Sequence, residues 1–158
     1  MMANLNEGDA APSFEMQTQL GKPISSAELK GRKYILYFYP KADTSGCTKE
    51  ACAFEENLST LAKINIPVIG VSRDPVTKLK AFADKYNLTF PLASDEEGSV
   101  TYAYGVWVEK SMYGRKYMGI ERATFLIDEQ GTILKIWPKV KITGHVEDVL
   151  KTIKQLGQ

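Results

Sequence analysis

A chain of 158 residues, with 20 Lys plus Arg against 19 Asp plus Glu and a net charge of +1, is sized for a single domain spanning residues 1–158. Its composition, 44% hydrophobic and 25% charged, is that of a folded globular protein and excludes general disorder. The near-neutral balance excludes the strong field that draws a protein to nucleic acid or an anionic membrane, and two Cys with one His are too few for a four-ligand zinc site. No apolar run approaches the about 20 residues of a membrane span. The opening stretch MMANLNEGDAAPSFEM lacks the basic start and apolar middle of a secretory signal. A cytoplasmic location is the expectation, and in a reducing compartment a pair of cysteines points to redox chemistry before structural cross-linking.

Strands and helices alternate along the chain. Tyr34 to Tyr39 is a continuous apolar, aromatic and β-branched run stopped by Pro40, which predicts a central strand buried on both faces. A helix is predicted from about Cys47 to Lys63, with Ala51, Phe54, Leu58, Leu61 and Ala62 as its apolar stripe. Residues 67–72 (PVIGVS) predict a second buried strand. Asp74 as N-cap and Pro75 at the first helical position open a second helix, which turns Val76, Leu79, Phe82, Ala83 and Tyr86 inward and stops near Asn87. Residues 123–127 and 132–137, joined by the Gly131-containing turn, predict a hairpin. A last helix runs from about Val146 to Leu156, with Val146, Val149, Leu150, Ile153 and Leu156 on one face. The pattern predicts an α/β fold with a central mixed sheet and helices on both faces.

The chemically informative stretch runs from Tyr39 to Cys52. Cys47 follows a strand, a polar turn and Gly46, and it opens a helix. Free backbone N–H groups and the positive end of the helix dipole favour an anion there, and a thiolate is such an anion. A helix end supplies about 0.3–1 kcal/mol, at most about 2. Making the anion dominant at neutral pH takes roughly 3.4 kcal/mol, so a nearby guanidinium must supply the rest. Cys52 lies five residues on. In an intact helix the two side chains are roughly 140° apart around the axis, with Cα atoms about 7.5 Å apart along it. Disulfide geometry asks for Cα atoms within about 6.8 Å and suitably directed Cβ vectors. Either the two never pair, or the first turns of the helix unwind.

These residues resemble a family. Pro40, Thr44 and Cys47 match the Pro-x-x-x-Thr-x-x-Cys signature of peroxiredoxins, and residues 46–52 (GCTKEAC) resemble its bacterioferritin-comigratory, or Q-type, branch. Residues 104–107 (YGVW), 112–114 (MYG), 117–120 (YMGI) and 122–128 (RATFLID) stand as that branch has them, so the likeness runs from Gly8 to the last helix. The resemblance implies a thioredoxin-like fold and a thiol peroxidase without a cofactor or metal, acting on hydrogen peroxide and organic hydroperoxides. It makes Cys47 the peroxidatic cysteine, which becomes a sulfenic acid. It sets Thr44 against the peroxide oxygens and Arg122 beside the thiolate, and it makes Pro40 and Gly46 part of the substrate pocket. Cys52 becomes the resolving cysteine, through an intramolecular disulfide that thioredoxin reduces, and a monomer suffices. The family commonly has Pro where Ser45 stands; neither residue offers required chemistry, so activity is expected to survive the difference.

Other residues have plainer readings. His145, the lone histidine, reads as a solvated turn residue. Trp107, Tyr113, Tyr117 and Trp137 read as packing the core or the loop over it, and Lys139 and Lys141 as the solvent side of an edge segment around Val140. Two other functions compete. A redox-sensing binding module would use the same cysteines, with oxidation unwinding the first helix, and lack of steady-state turnover would reveal it. A thioredoxin-type oxidoreductase needs Cys-x-x-Cys, whereas four residues separate this pair.

Overall fold

Residues 5–156 are those the computed structural model describes; the first four residues of the opening stretch lie outside them. In chain order they form β1 (Glu15–Thr18), β2 (Pro23–Ser25), β3 (Tyr34–Phe38), α1 (Ser45–Glu56), α2 (Leu58–Lys63), β4 (Val68–Ser72), α3 (Val76–Tyr86), β5 (Leu92–Ser94), α4 (Ser99–Ala103), β6 (Trp107–Met112), β7 (Arg115–Ile120), β8 (Ala123–Ile127), β9 (Ile133–Trp137) and α5 (His145–Gln155).

The apolar run at residues 34–38 is the middle of the molecule. Every residue of β3 is buried, because the strand is paired on both sides and covered on both faces. Seven strands pair in the order β2-β1-β5-β4-β3-β8-β9, with β3, β4 and β5 parallel and the others antiparallel to their neighbours. The sheet is therefore mixed. Period-two alternation divides β3 between two cores. Ile35 and Tyr37 pack with Phe54, Leu61, Leu79, Phe82 and Val149 from α1, α2, α3 and α5. Leu36 and Phe38 pack with Val71, Val100, Tyr104 and Phe125 on the face that α4 covers. Helices thus lie on both faces, as the sequence predicts.

Several boundaries differ from the sequence reading. The helix expected from Cys47 to Lys63 begins two residues earlier and is interrupted at Asn57, whose side-chain amide donates to the Ala53 carbonyl at 2.8 Å. An Asn that bonds its own backbone competes with helix continuation. Asp74 is not the cap of α3. Its carboxylate is taken by the Ala42 amide and the Ser72 hydroxyl, each at 2.8 Å, and Pro75 in extended conformation is the N-cap. Asn87 ends α3 in the left-handed region, at φ 56°. Ala62 and Leu156 are exposed rather than inward; Ala62 is the next-to-last residue of α2, and Leu156 caps α5 just past its last residue.

The β6–β7 hairpin stands apart from the main sheet. Its turn exposes Tyr113 almost wholly, at 97%, and Tyr117 is largely exposed, so neither packs the core. The hairpin turns at Tyr113 and Gly114, both at positive φ, which carries these rings into solvent. Trp137 is buried as expected, and Trp107 is half-buried under the Arg73 guanidinium, 3.4 Å from the ring centroid. Lys139 and Lys141 are exposed, but on a loop and not on an edge strand. The backbone turns at Lys139 (φ 49°), and the Val140 amide donates to the Arg122 carbonyl at 2.8 Å.

His145 is a correction. It is buried, its Nε2 lies 2.8 Å from Thr124 Oγ1, and its ring meets those of Phe54 and Trp137 edge to face. Placed first on α5, it is carried under the sheet by the neighbours that make that helix amphipathic. Burial pushes its imidazole down to about 4, aided by Arg122 and opposed by Asp148.

Candidate active site

The site forms where β3 ends and α1 begins. Pro40 closes β3, and residues 40–44 cross to the helix. This crossing is fastened at both ends of α3, through Ala42 to Asp74 and through Asp43 to Tyr86 Oη (2.8 Å) and Lys85 Nζ (3.2 Å). Asp43 holds a positive φ of 62°, a conformation that Asp tolerates better than most residues. Its carboxyl is held below the usual range by the Tyr86 hydroxyl and the Lys85 ammonium.

Thr44 is the N-cap of α1, in extended conformation, and its hydroxyl donates to the Lys41 carbonyl at 2.8 Å. Its carbonyl accepts the Thr48 amide. Cys47 follows one turn into α1 and is 1% exposed. The Arg122 guanidinium spans the site. Its Nη2 donates to Cys47 Sγ at 3.3 Å, and its Nη1 donates to Glu50 Oε1 at 2.6 Å. The positive charge that the sequence argument requires beside the sulfur is present, on the residue just before β8. Burial alone would lower the guanidinium, but Glu50 and Cys47 outweigh it and hold Arg122 above its ordinary value.

Gly46 is the closest approach of helix to arginine. A Cβ there would stand 3.3 Å from Arg122 Nη2 and 2.9 Å from Ile142 Cδ1, so a side chain would push both out of place. Cys52 sits on the same helix, half-buried and unpaired, as Cys47 is. Because α1 is intact across both, their sulfurs face different directions. Burial, together with Glu56 and Glu55, raises the Cys52 thiol. The structure thus brings Cys47, Arg122 and Gly46 together, sets Thr44 and Pro40 on the adjoining loop, and leaves Cys52 apart.

Glu50 is the residue the sequence reading missed. It is fully buried, and its Oε2 has no hydrogen-bond partner. Burial lifts its carboxyl to about 7 against the pull of Arg122. Its signal was a charged residue three places after Cys47, on the stripe that carries Ala51 and Phe54 inward. Ile142 and the Val140 amide, which back up Gly46 and Arg122, were also missed, because contacts between a distant loop and a helix start leave no periodic trace. Among the described residues no group of three or more His, Cys, Asp or Glu could hold a metal ion, and no helix is long and apolar enough to cross a membrane.

A buried sulfur at a helix start, facing a guanidinium at the end of a mixed α/β sheet, defines a thiol-based redox site. Comparison with known proteins agrees. The family model described as AhpC/TSA family matches residues 7–136. The chain is 51% identical over 147 residues to a putative peroxiredoxin bcp of Coxiella burnetii, covering 93% of this chain and 97% of that one. It is 42% identical over 151 residues to peroxiredoxin Bcp of Bacillus subtilis, covering 96% of each. Among solved structures, a cysteine-to-serine mutant of PrxQ from Xylella fastidiosa superposes with a TM-score of 0.93 at 34% identity, covering 99% of both chains. The bacterioferritin comigratory protein of Xanthomonas campestris, whose structure is described in terms of alkyl peroxide reduction, superposes at 0.87 with 35% identity over 92% of each. The chain belongs to the AhpC/TSA family, on its Bcp or Q-type peroxiredoxin branch, and is a thiol-dependent peroxidase with the thioredoxin-like fold of that family.

Proposed function

We propose that this single-domain chain reduces hydrogen peroxide and organic hydroperoxides through Cys47, with Cys52 as resolving thiol and thioredoxin, or a similar dithiol protein, as reductant. The observation that carries the reading is the Arg122 Nη2–Cys47 Sγ contact at 3.3 Å, one turn into a helix and shut away from bulk water. Cys47 as thiolate attacks the near peroxide oxygen. The S–O bond forms as the O–O bond breaks, the leaving oxygen takes a proton, and water or an alcohol departs, leaving a sulfenic acid. Arg122 lies where it stabilises both the initial anion and the charge that moves to the leaving oxygen. Thr44, on the adjoining loop, has lone pairs free to receive the peroxide proton while its own hydrogen is given to Lys41.

The Cys52 thiol then displaces water from the sulfenic acid to form a Cys47–Cys52 disulfide. Both residues lie inside α1, so this step requires its first turns to open, and helix ends open at low cost. The disulfide stays within one chain, which fits a monomer working in the cytoplasm. Thiol titration and peptide mapping by mass spectrometry test the reading. One equivalent of hydrogen peroxide is expected to consume two thiols and to yield a Cys47–Cys52 linked peptide. A cross-link between chains, or full peroxidase turnover in Cys47→Ser, overturns it.

A further inference from the structure

The turn that leads into α1 is pinned by contacts that the mechanism above does not use. Residues 41–44 close on themselves, since the Thr44 hydroxyl donates to the Lys41 carbonyl at 2.8 Å. Ala42 packs against the core, and its amide donates to Asp74 just ahead of α3. Asp43 reaches the other end of that helix. Its Oδ1 accepts the Tyr86 hydroxyl at 2.8 Å, and its Oδ2 accepts from Lys85 Nζ at 3.2 Å. Both carboxylate oxygens are thus engaged by the last two residues of α3.

Asp43 makes these contacts from a left-handed backbone, at φ 62°. Glycine takes that conformation without steric cost and aspartate does not, so what aspartate adds at this turn is its carboxylate. The partner is firm. Tyr86 is half-buried, its ring meets Phe82 edge to face with centroids 5.6 Å apart, and Phe82 is buried in the core. The Lys85 ammonium also lies 5.3 Å from the Tyr86 ring centroid, so the three side chains form one cluster. An exposed ion pair alone holds little, whereas a hydroxyl donating to a carboxylate from a ring seated on the core is a directed contact.

The pin stands one residue before the N-cap of α1. Thr44 starts the helix, Gly46 lies beside the Arg122 guanidinium and Cys47 follows, so the place of residue 43 fixes where the helix enters the site. Both cysteines lie downstream of the pin, and so do the turns that open for the disulfide. We infer, on the strength of the peroxidase reading, that Asp43 is a positioning residue for peroxide attack: clamped by Tyr86 and Lys85, it holds Thr44 and the first turn of α1 against Arg122 while Cys47 is oxidised, and the disulfide step does not draw on it.

Rapid-quench kinetics on the full chain, with thiols alkylated and counted by mass, separate the two steps: second-order oxidation of Cys47 by hydrogen peroxide, and first-order formation of the disulfide. Asp43→Gly keeps the backbone and removes the carboxylate. It is expected to slow oxidation about fivefold to tenfold and to leave the disulfide rate within about twofold. Tyr86→Phe should slow oxidation about threefold, and combining it with Asp43→Gly should cost no more than Asp43→Gly alone, because both remove one contact. Asp43→Asn suits the left-handed backbone and keeps an acceptor for Tyr86, so it should return to within about twofold of wild type. Lys80→Gln, which breaks the exposed Lys80–Asp84 pair on the same helix, should match wild type. Oxidation at the wild-type rate in Asp43→Gly overturns the inference. So does an equal fall in both steps, as a loosened fold would give, or an Asp43→Asn as slow as Asp43→Gly. A wild-type protein whose Cys47 peroxide leaves untouched would instead sink the peroxidase reading itself.

Discussion

Glu50 and Arg122 show how a buried charge pair is tolerated. Removing one partner of such a pair commonly costs about 3–5 kcal/mol, because the survivor is left ionised in the interior. Glu50 has a way out, since its carboxyl is poised near 7 and can take up a proton. Arg122→Gln is therefore expected to destabilise the fold by about 3 kcal/mol at pH 8 but only about 1 kcal/mol at pH 5, measured by urea unfolding. Peroxidase activity should be lost at both. The same carboxyl contributes to the pH dependence of the wild type. Its folded value lies above the ordinary 4.5, so its contribution is complete below pH 4.5 and is lost as pH rises through 7. His145 does the opposite. Its folded value of about 4 lies below 6.5, so its contribution is complete above pH 6.5 and is lost as pH falls through 4. The two slopes oppose each other between pH 4.5 and 6.5 and must be separated by substitution. His145→Gln should lose less stability than wild type on acidification from pH 7 to pH 4, by up to about 3 kcal/mol.

At the scale of elements, α1 decides how the site works. Ser45 is its first residue and Thr44 before it is extended, at φ −95° and ψ 158°. Both conformations suit a proline at 45, since the first helical position has no intrahelical bond to lose and a residue before proline prefers extended backbone. Ser45→Pro should raise stability by about 0.4–1 kcal/mol, seen as a gain of about 1–4 °C in Tm, with unchanged peroxide turnover. The outer hairpin depends on Arg73, which stacks on Trp107 and bonds to Thr101 Oγ1 at 2.9 Å and to the Gly98 carbonyl at 3.0 Å. Arg73→Ala should speed amide exchange in residues 107–120 while leaving β3 protected. The strands with continuous apolar runs and the helices with apolar stripes were legible in the sequence, because burial on both faces, or on one stripe, writes itself into residue order. The β6–β7 hairpin was not, because its strands bury little and so carry no alternation.

For the molecule as a whole, the site was legible in its chemistry and not in its support. The sequence pointed to Cys47 and to the need for a cation. Only the folded chain shows that a loop 18–20 residues downstream of Arg122 meets the site, Val140 donating its amide to the Arg122 carbonyl and Ile142 standing against Gly46. Gly46→Ala should therefore cut the rate of peroxide reduction at least about tenfold with little change in Tm, since it displaces a side chain at the surface of the site and not the core. The oxidised wild type should elute from size-exclusion chromatography at the same volume as the reduced form, because the cross-link proposed for it joins no second chain.

The two ends of α1 are secured by different means. Near its far end Glu55 accepts both the amide and the hydroxyl of Thr89, at 2.7 Å each, and peroxide touches neither. At its near end Arg122 Nη2 donates to the Cys47 sulfur at 3.3 Å, and the oxidation proposed above would convert that sulfur to a sulfenic acid. By that route the reagent would undo a contact at the near end of the helix, while the opposite anchor would stop the unravelling from spreading. Exchange of backbone deuterium after a peroxide pulse should accelerate from Ser45 to Ala51 and stay slow from Phe54 onward. In such an arrangement the chemical event sets the order of the motion, and no outside signal has to tell the helix when to let go.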